Sequence, residues 1–330
     1  MTIHLIATGG TIASLPDETG ALKAAMTAED LIAGVPQLDR YQPITCEEVT
    51  RVNGWNVSPS DMLEVARRLG AALDADDVDG AIITGGTDTI EETAFLVDVT
   101  MATDKPVCLA AAMRGGAEIS ADGPRNLLNA AMVASEPAAR GIGAALVLND
   151  EIHAARWVTK LDSFRMGAFG SPDHGPLGTV TPAGASIRTK PSVRVTVDLP
   201  ERLSAPVPVV KTYTGMEEDL IPRIVEVTNA SGLVVEGTGL GNVPGTAMPG
   251  IEAAVDDGVA VVVATRVPAG GTKAVYGGPG GGAALERLGV PGAQGLTAAK
   301  ARLLLMLLLS AGHDAVSALE RFGEAARALA

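Results

Sequence analysis

The sequence predicts an α/β protein of two domains, each a mostly parallel sheet flanked by helices. Three observations carry the prediction. Short apolar runs, "IHLIAT", "DGAIIT", "PVCLA" and "GAALVLN", are bounded by Gly, Pro or Asp, as strands buried on both faces are. Between them, "SDMLEVARRLGAALDA" and "EETAFLVDVTMA" place apolar residues at helical spacing, and such strand–helix alternation builds an open parallel sheet. From about Ser186 the texture changes. "SIRTKPSVRVTVDLPERLSAPVPVVKTY" is rich in Pro and β-branched residues without a helical period, and a second alternating set follows it.

The first domain is expected over residues 1–190 and the second over 206–330, with a linker over 191–205; a length of 330 residues suits about two domains. In the second domain "VPVVKTY", "GLVVEGT" and "VAVVVATRV" read as strands. A long closing helix starts near Thr297, a plausible N-cap. Its oily stretch, Leu303–Leu309, falls well short of the roughly 20 residues a membrane span needs, so it reads as a buried helix.

Hydrophobic residues make up 47% of the chain and aromatics 3%, so the cores are built from Ala, Val, Leu and Ile. The net charge of −14 argues against a nucleic-acid partner, which calls for a basic face. Two cysteines, Cys46 and Cys108, make no disulfide framework and suit a reduced, cytoplasmic setting. "MTIHLIATGG" lacks the basic leader of a secretory signal.

Thr-Gly-Gly-Thr occurs twice, at Thr8–Thr11 and Thr84–Thr87, each time directly after a predicted strand. Ligands in open α/β sheets bind beyond the carboxyl ends of strands, where both copies lie. For a single copy the plain reading is a sharp turn into a capped helix. Asp88 with Glu91, and Thr89 with Glu92, both have the capping-box spacing. Two copies in one sheet can instead place the Thr11 and Thr87 hydroxyls across one crevice, with Asp88 beside them. A threonine hydroxyl needs a base to become a nucleophile. Lys160, in "ARWVTKLDSF", is the candidate, since burial lowers a lysine's pKa; in isolation it reads as a solvated surface lysine. Backbone N–H groups at Gly10 and Thr87 offer an oxyanion site. Two Thr, one Asp and one Lys suit acyl transfer from an amide.

Other signals are weaker. Gly278, Gly280 and Ala283 have the spacing of a dinucleotide fingerprint, but Pro279 interrupts it and no acidic residue follows about 20 positions on. A P-loop and a Gly-x-Ser-x-Gly elbow are absent from the sequence. His4, His153, His174 and His313 are scattered and read as packing or surface residues, not metal ligands. Neither a cofactor nor a metal is expected.

"TGGTIAS", "TGGTDTIEET", "AAMR", "DGPRNLLNA", "VTK", "GPLG" and "AKARLLLMLLL" together resemble, in order and spacing, the bacterial-type L-asparaginases and asparaginase/glutaminases. The resemblance covers nearly the whole chain. It implies that Thr11 and Thr87 are the two essential threonines. Asp88 and Lys160 then complete a Thr–Lys–Asp set, with Asp88 also holding an α-ammonium. It further implies hydrolysis of the L-asparagine side chain to L-aspartate and ammonia by a homo-oligomer, a tetramer or dimer. Each site would then be closed by a neighbour's second domain.

The chain departs from the pattern in places. No tyrosine lies between Ile12 and Arg40, in the segment Leu15–Met26 that reads as a mobile cover. Gly54 and Trp55 stand where the family places a Ser-Gln pair for the substrate carboxylate, and Gly85 stands where it often has His. The substrate-binding set is therefore expected to be Gly10, Gly54, Trp55, Gly86, Thr87 and Asp88. The neighbour's acid has no match near "GTKAVYGGPGGG", where Tyr276 is a candidate replacement for the missing phenol. Amidases for glutamine, D-asparagine or another small amide, and a non-catalytic amino-acid-binding protein, are the alternative readings.

Overall fold

A computed structural model describes residues 2–41 and 43–330 and divides into two units, Met1–Ser192 and Val193–Ala330. The first is organised around β1 (Thr2–Gly9), whose residues serve two cores in alternation. Ile3, Leu5 and Ala7 join one core with Leu31 and Leu127, while Ile6 joins the other with Val65, Leu69 and Val97. A hairpin of β2 (Ser14–Pro16) and β3 (Leu22–Ala24), then α1 (Ala28–Ala33), lead to β4 (Ile44–Val52). The alternation continues through α2 (Pro59–Leu73), β5 (Val78–Thr84), α3 (Ile90–Thr100) and β6 (Val107–Ala110). It ends with α4 (Gly123–Ala134) and β7 (Ala144–Leu148). β8 (Glu151–Ala154) turns back, and β9 (Thr159–Lys160) with β10 (Phe169–Gly170) makes a separate two-stranded ribbon. β11 (Gly178–Thr181) and β12 (Gly184–Ile187) extend the main sheet.

The order in that eight-stranded sheet is β12-β11-β8-β7-β6-β5-β1-β4. Pairing is parallel from β4 to β7 and antiparallel from β7 to β12. The four apolar runs of the sequence are β1, β5, β6 and β7. After β1 the chain moves outward to β4, and after β5 it moves the other way to β6. The connections therefore diverge between β1 and β5, a topological switch point of the kind that opens a ligand site. Both TGGT segments flank it.

In the second unit, β13 (Val209–Lys211), α5 (Leu220–Thr228), β14 (Gly232–Gly237), α6 (Met248–Asp256) and β15 (Ala260–Thr265) make a three-stranded parallel sheet with helices. α7 (Gly282–Arg287), α8 (Ala298–Ser310) and α9 (Ala315–Leu329) complete it. The expected long closing helix is thus two. Gly312, at φ 92°, ends the first, and the Asp314 carboxylate caps the second by accepting from Ser317 N at 2.8 Å. Thr297 does cap α8, accepting from Lys300 N. Ser204 and Ala205, in the expected linker, donate their N–H groups to Ser310 Oγ. Among the described residues no helix is long and apolar enough to cross a membrane.

Candidate active site

The two TGGT loops are joined from their first residue: Thr8 Oγ1, at the end of β1, donates to Thr84 O of β5 at 2.8 Å. Two residues on, Gly10 lies at φ 77° and ψ −176°, a conformation open essentially to glycine alone. A methyl group there would fall 2.2 Å from Gly86 N. Gly54, just beyond β4, closes on the same point. A Cβ on Gly86 would sit 2.6 Å from Gly54 Cα and 3.3 Å from Gly10 Cα. Three strand ends therefore meet backbone against backbone, which brings Thr11 and Thr87 onto adjoining loops. Ser14 Oγ, donating to Gly10 O at 2.8 Å, and Thr89 Oγ1, donating to Gly54 O at 2.7 Å, fix the arrangement.

Thr11 opens a short 3-10 turn and is half-buried. Among the described residues its hydroxyl has no hydrogen-bond partner. Thr87 is buried, and Lys160 Nζ donates to its Oγ1 at 2.9 Å and to Asp88 Oδ1 at 2.9 Å. The Lys160 side chain is 19% exposed and that of Asp88 46%, so the pair faces outward at its acid end. Lys160 reaches this place from β9, 73 residues further along the chain than Thr87. Its backbone N donates to Glu91 Oε2 at 2.6 Å, and the Thr159 hydroxyl donates to Glu91 Oε1 at 3.1 Å.

Those bonds overturn the capping-box expectation. Thr89 is the N-cap of α3 but its side chain makes no cap bond, being committed to Gly54. Glu91 is turned to β9, and Asp88 to Lys160. Sequence reasoning missed Glu91 in this part, and it missed Asp122. The buried Asp122 carboxylate accepts from Met113 N at 3.0 Å, Arg114 N at 2.9 Å and Asn126 Nδ2 at 3.0 Å, holding the "AAAMR" loop. Its only sequence signal is its place at the start of "DGPRNLLNA".

Trp55 is 67% exposed in the short turn Gly54–Asn56. Trp157 stacks on His174 with ring centroids 4.1 Å apart. The expected mobile cover is a folded hairpin of β2 and β3. At its tip Asp17 Oδ1 accepts from Thr19 N, Thr19 Oγ1 and Ala21 N, and these bonds, the Thr19 hydroxyl first, hold Asp17 below the usual carboxylate range. Tyr276 belongs to the second unit and is 57% exposed. His4 pairs with Thr45 and Glu47, and His153 with Ser171 and Glu151. Among the described residues no three His, Cys, Asp or Glu side chains gather as metal ligands would.

Comparison with known proteins follows this geometry. A family model described as "Asparaginase, N-terminal" matches residues 2–193, and one described as "Glutaminase/Asparaginase C-terminal domain" matches residues 206–322. L-asparaginase 2 of Bacillus subtilis is 36% identical over 321 residues, covering 94% of this chain and 83% of that one. A glutaminase-asparaginase of Pseudomonas fluorescens is 34% identical over 277 residues, covering 82% of this chain and 76% of that one. The crystal structure of a probable cytoplasmic L-asparaginase from Campylobacter jejuni superposes with a TM-score of 0.86 at 32% identity, covering 97% and 98% of the two chains.

Proposed function

We propose, from the premise that this chain belongs to the asparaginase family and is an asparaginase-type amidohydrolase, that it cleaves the side-chain amide of L-asparagine with Thr11 as nucleophile. One observation carries the reading: Lys160 Nζ lies 2.9 Å from both Thr87 Oγ1 and Asp88 Oδ1, on a loop whose Gly86 backs onto the residue before Thr11. Thr11 Oγ attacks the amide carbon, and N–H groups near Gly10 and Thr87 hold the developing oxyanion. Ammonia leaves with a proton, and water then attacks the acyl ester to release aspartate. Because Lys160 Nζ–H occupies a lone pair of Thr87 Oγ1, the Thr87 hydroxyl proton is free to point elsewhere. Thr87 can then pass its proton to the leaving nitrogen and be refilled from Lys160. The neutral Lys160 amine so formed has a lone pair to take the proton of Thr11 or of water back through Thr87. Asp88, the more exposed acid, is the group for a substrate α-ammonium. Gly10, Gly54, Trp55 and Gly86 complete the substrate-binding set.

A second reading, an amidase for glutamine, D-asparagine or another small amide, is favoured by Gly54 and Trp55. Trp55, which follows Gly54 in the chain and is 67% exposed, offers an indole at the position where the family has a Ser-Gln pair for the substrate carboxylate. Ammonia release measured over L-Asn, D-Asn, L-Gln and simple amides separates the two, and its absence for every amide would favour a binding protein. A homo-oligomer, a tetramer or dimer, is also proposed. Its support is the large apolar side chains left exposed on the segments that follow β6 and β9, Ile119 at 94% and Phe164 at 88%. A cytoplasmic location is proposed from the free thiols of Cys46 and Cys108 and from the kinship with the Campylobacter jejuni enzyme.

A further inference from the structure

We infer that Glu91 is a positioning residue: its carboxylate fixes the backbone of Lys160, and through it the place of Nζ between Thr87 and Asp88. This rests on the reading of Lys160 as a proton-handling group. β9 is two residues long and pairs with β10 outside the eight-stranded sheet. A two-stranded ribbon has little stability of its own in water. Its register sets Lys160 opposite Phe169, while Leu161 N donates to Ala168 O at 2.7 Å. Lys160 and Phe169 are therefore a pair of the non-hydrogen-bonded kind, and the Lys160 N–H points away from β10. Glu91 Oε2 accepts it there at 2.6 Å, and Oε1 takes the neighbouring Thr159 hydroxyl at 3.1 Å. Both oxygens are spent on successive residues of the ribbon.

The consequence is geometric. Glu91 lies four positions after Thr87, on the first turn of α3. The backbone of Lys160 and the two acceptors of its Nζ are thus held by one short stretch, Thr87–Glu91. The lysine is fixed at both ends to the same rigid turn, although the main sheet does not pair with its strand. Without Glu91 the ribbon keeps its anchors in the core, Val158, Ala168 and Phe169, but the head of Lys160 loses its fixed distance to Thr87.

The test compares Glu91→Ala, Glu91→Gln and Lys160→Met, with kcat, KM and Tm for each. Misplacement of a reacting group by about 1 Å costs on the order of 100-fold, so Glu91→Ala is expected to lower kcat about 30-fold or more, with KM within about threefold. Glu91→Gln keeps an acceptor for Lys160 N–H and offers an N–H to the Thr159 hydroxyl, which accepts as well as donates. It is expected to recover kcat to within about threefold of wild type, rescue that a charge effect would not give. The inference is overturned if Lys160→Met is inactive while Glu91→Ala keeps more than about half of wild-type kcat, or if a folded Glu91→Gln is no better than Glu91→Ala. An active Lys160→Met overturns the reading of Lys160 beneath it, and this inference with it. Should Glu91→Ala not fold, Glu91→Asp decides. It keeps the charge and both acceptors but withdraws them by a methylene, so a fall of about tenfold supports positioning, and kcat within about threefold overturns it.

Discussion

Gly86→Ala tests the claim that three strand-end loops meet without room for a methyl group. The backbone at Gly86 is of a kind any residue adopts, since it is not among the positive-φ positions, so its substitution carries no conformational strain. The cost is all contact. The new Cβ would meet Gly54 Cα at 2.6 Å and Gly54 N at 2.7 Å. Ordinary carbon contacts begin near 3.5 Å, so one loop must retreat by about 1 Å. Both neighbouring atoms are backbone, and no side chain can swing away to absorb the shift. Thr87 is the next residue, and a displacement of about 1 Å at the reacting groups is worth ~100-fold in rate, or ~2.7 kcal/mol of barrier. The assay is initial-rate ammonia release at saturating amide, beside a Tm measurement. Gly20→Ala is the control. Gly20 lies at φ 83° with nothing within 4 Å of a new Cβ, so it carries strain without a clash and should leave kcat near wild type. A Gly86→Ala protein with unchanged Tm and more than about a third of wild-type kcat would refute the reasoning.

Thr11→Ala and Thr87→Ala are each expected to remove turnover by several orders of magnitude without loss of fold, because groups of this kind act as a unit. A Thr11→Ala enzyme keeping about a tenth of kcat, a barrier change of only ~1.4 kcal/mol, would rule out Thr11 as nucleophile. Burial holds His153 below the ordinary histidine range, against the opposing pull of Glu151. The folded state resists a proton that the unfolded chain accepts, so this contribution is intact above about pH 6.5 and is lost as pH falls below it, down to the folded-state value. Urea unfolding at pH 7 and pH 5 should show a smaller stability loss for His153→Gln than for wild type; equal losses would contradict the sign. Tyr276→Phe removes only a hydroxyl. A large fall in kcat with assembly intact would give Tyr276 the role of the missing lid phenol, and an unchanged kcat leaves the proton path to Thr87 and Lys160.

The parts of the fold that the sequence displays are those buried on both sides. β1, β5, β6 and β7 are continuous apolar runs because helices cover both faces of the sheet there. β4 went unread because it is the edge strand, with Glu47, Glu48 and Arg51 among its residues, and resembles a polar loop. The β7–β8 hairpin did carry a signal. Asn149 and Asp150, both at positive φ, form a turn of a type those residues favour. The repeated TGGT pointed to two loops, but the third partner at Gly54 follows the unread strand and was named through resemblance alone. Glu91 was invisible for a different reason. Its partners lie 68 and 69 residues away, and its local spacing to Asp88 suggested a cap that the structure does not form.

That contrast bears on how such a site can change its substrate. The groups proposed for hydrolysis are tied into contacts that tolerate little. Gly10, Gly54 and Gly86 leave no space between them, and Lys160 is held through both its backbone and its head group. Trp55 follows Gly54 directly, yet two thirds of its surface is exposed, and among the described residues its side chain makes no hydrogen bond. A substitution there removes no packing from the core, so on the proposed reading its effect is expected to fall on which amide is held and not on how the amide is cut. Asparaginase and glutaminase-asparaginase names both occur among relatives of similar identity. The measurable form of that separation is a Trp55→Ser protein whose KM values for L-Asn and L-Gln shift relative to each other while their kcat values do not. A comparable loss of kcat on every amide would mean instead that Trp55 helps to place the three glycines, and that the rim belongs to the catalytic framework.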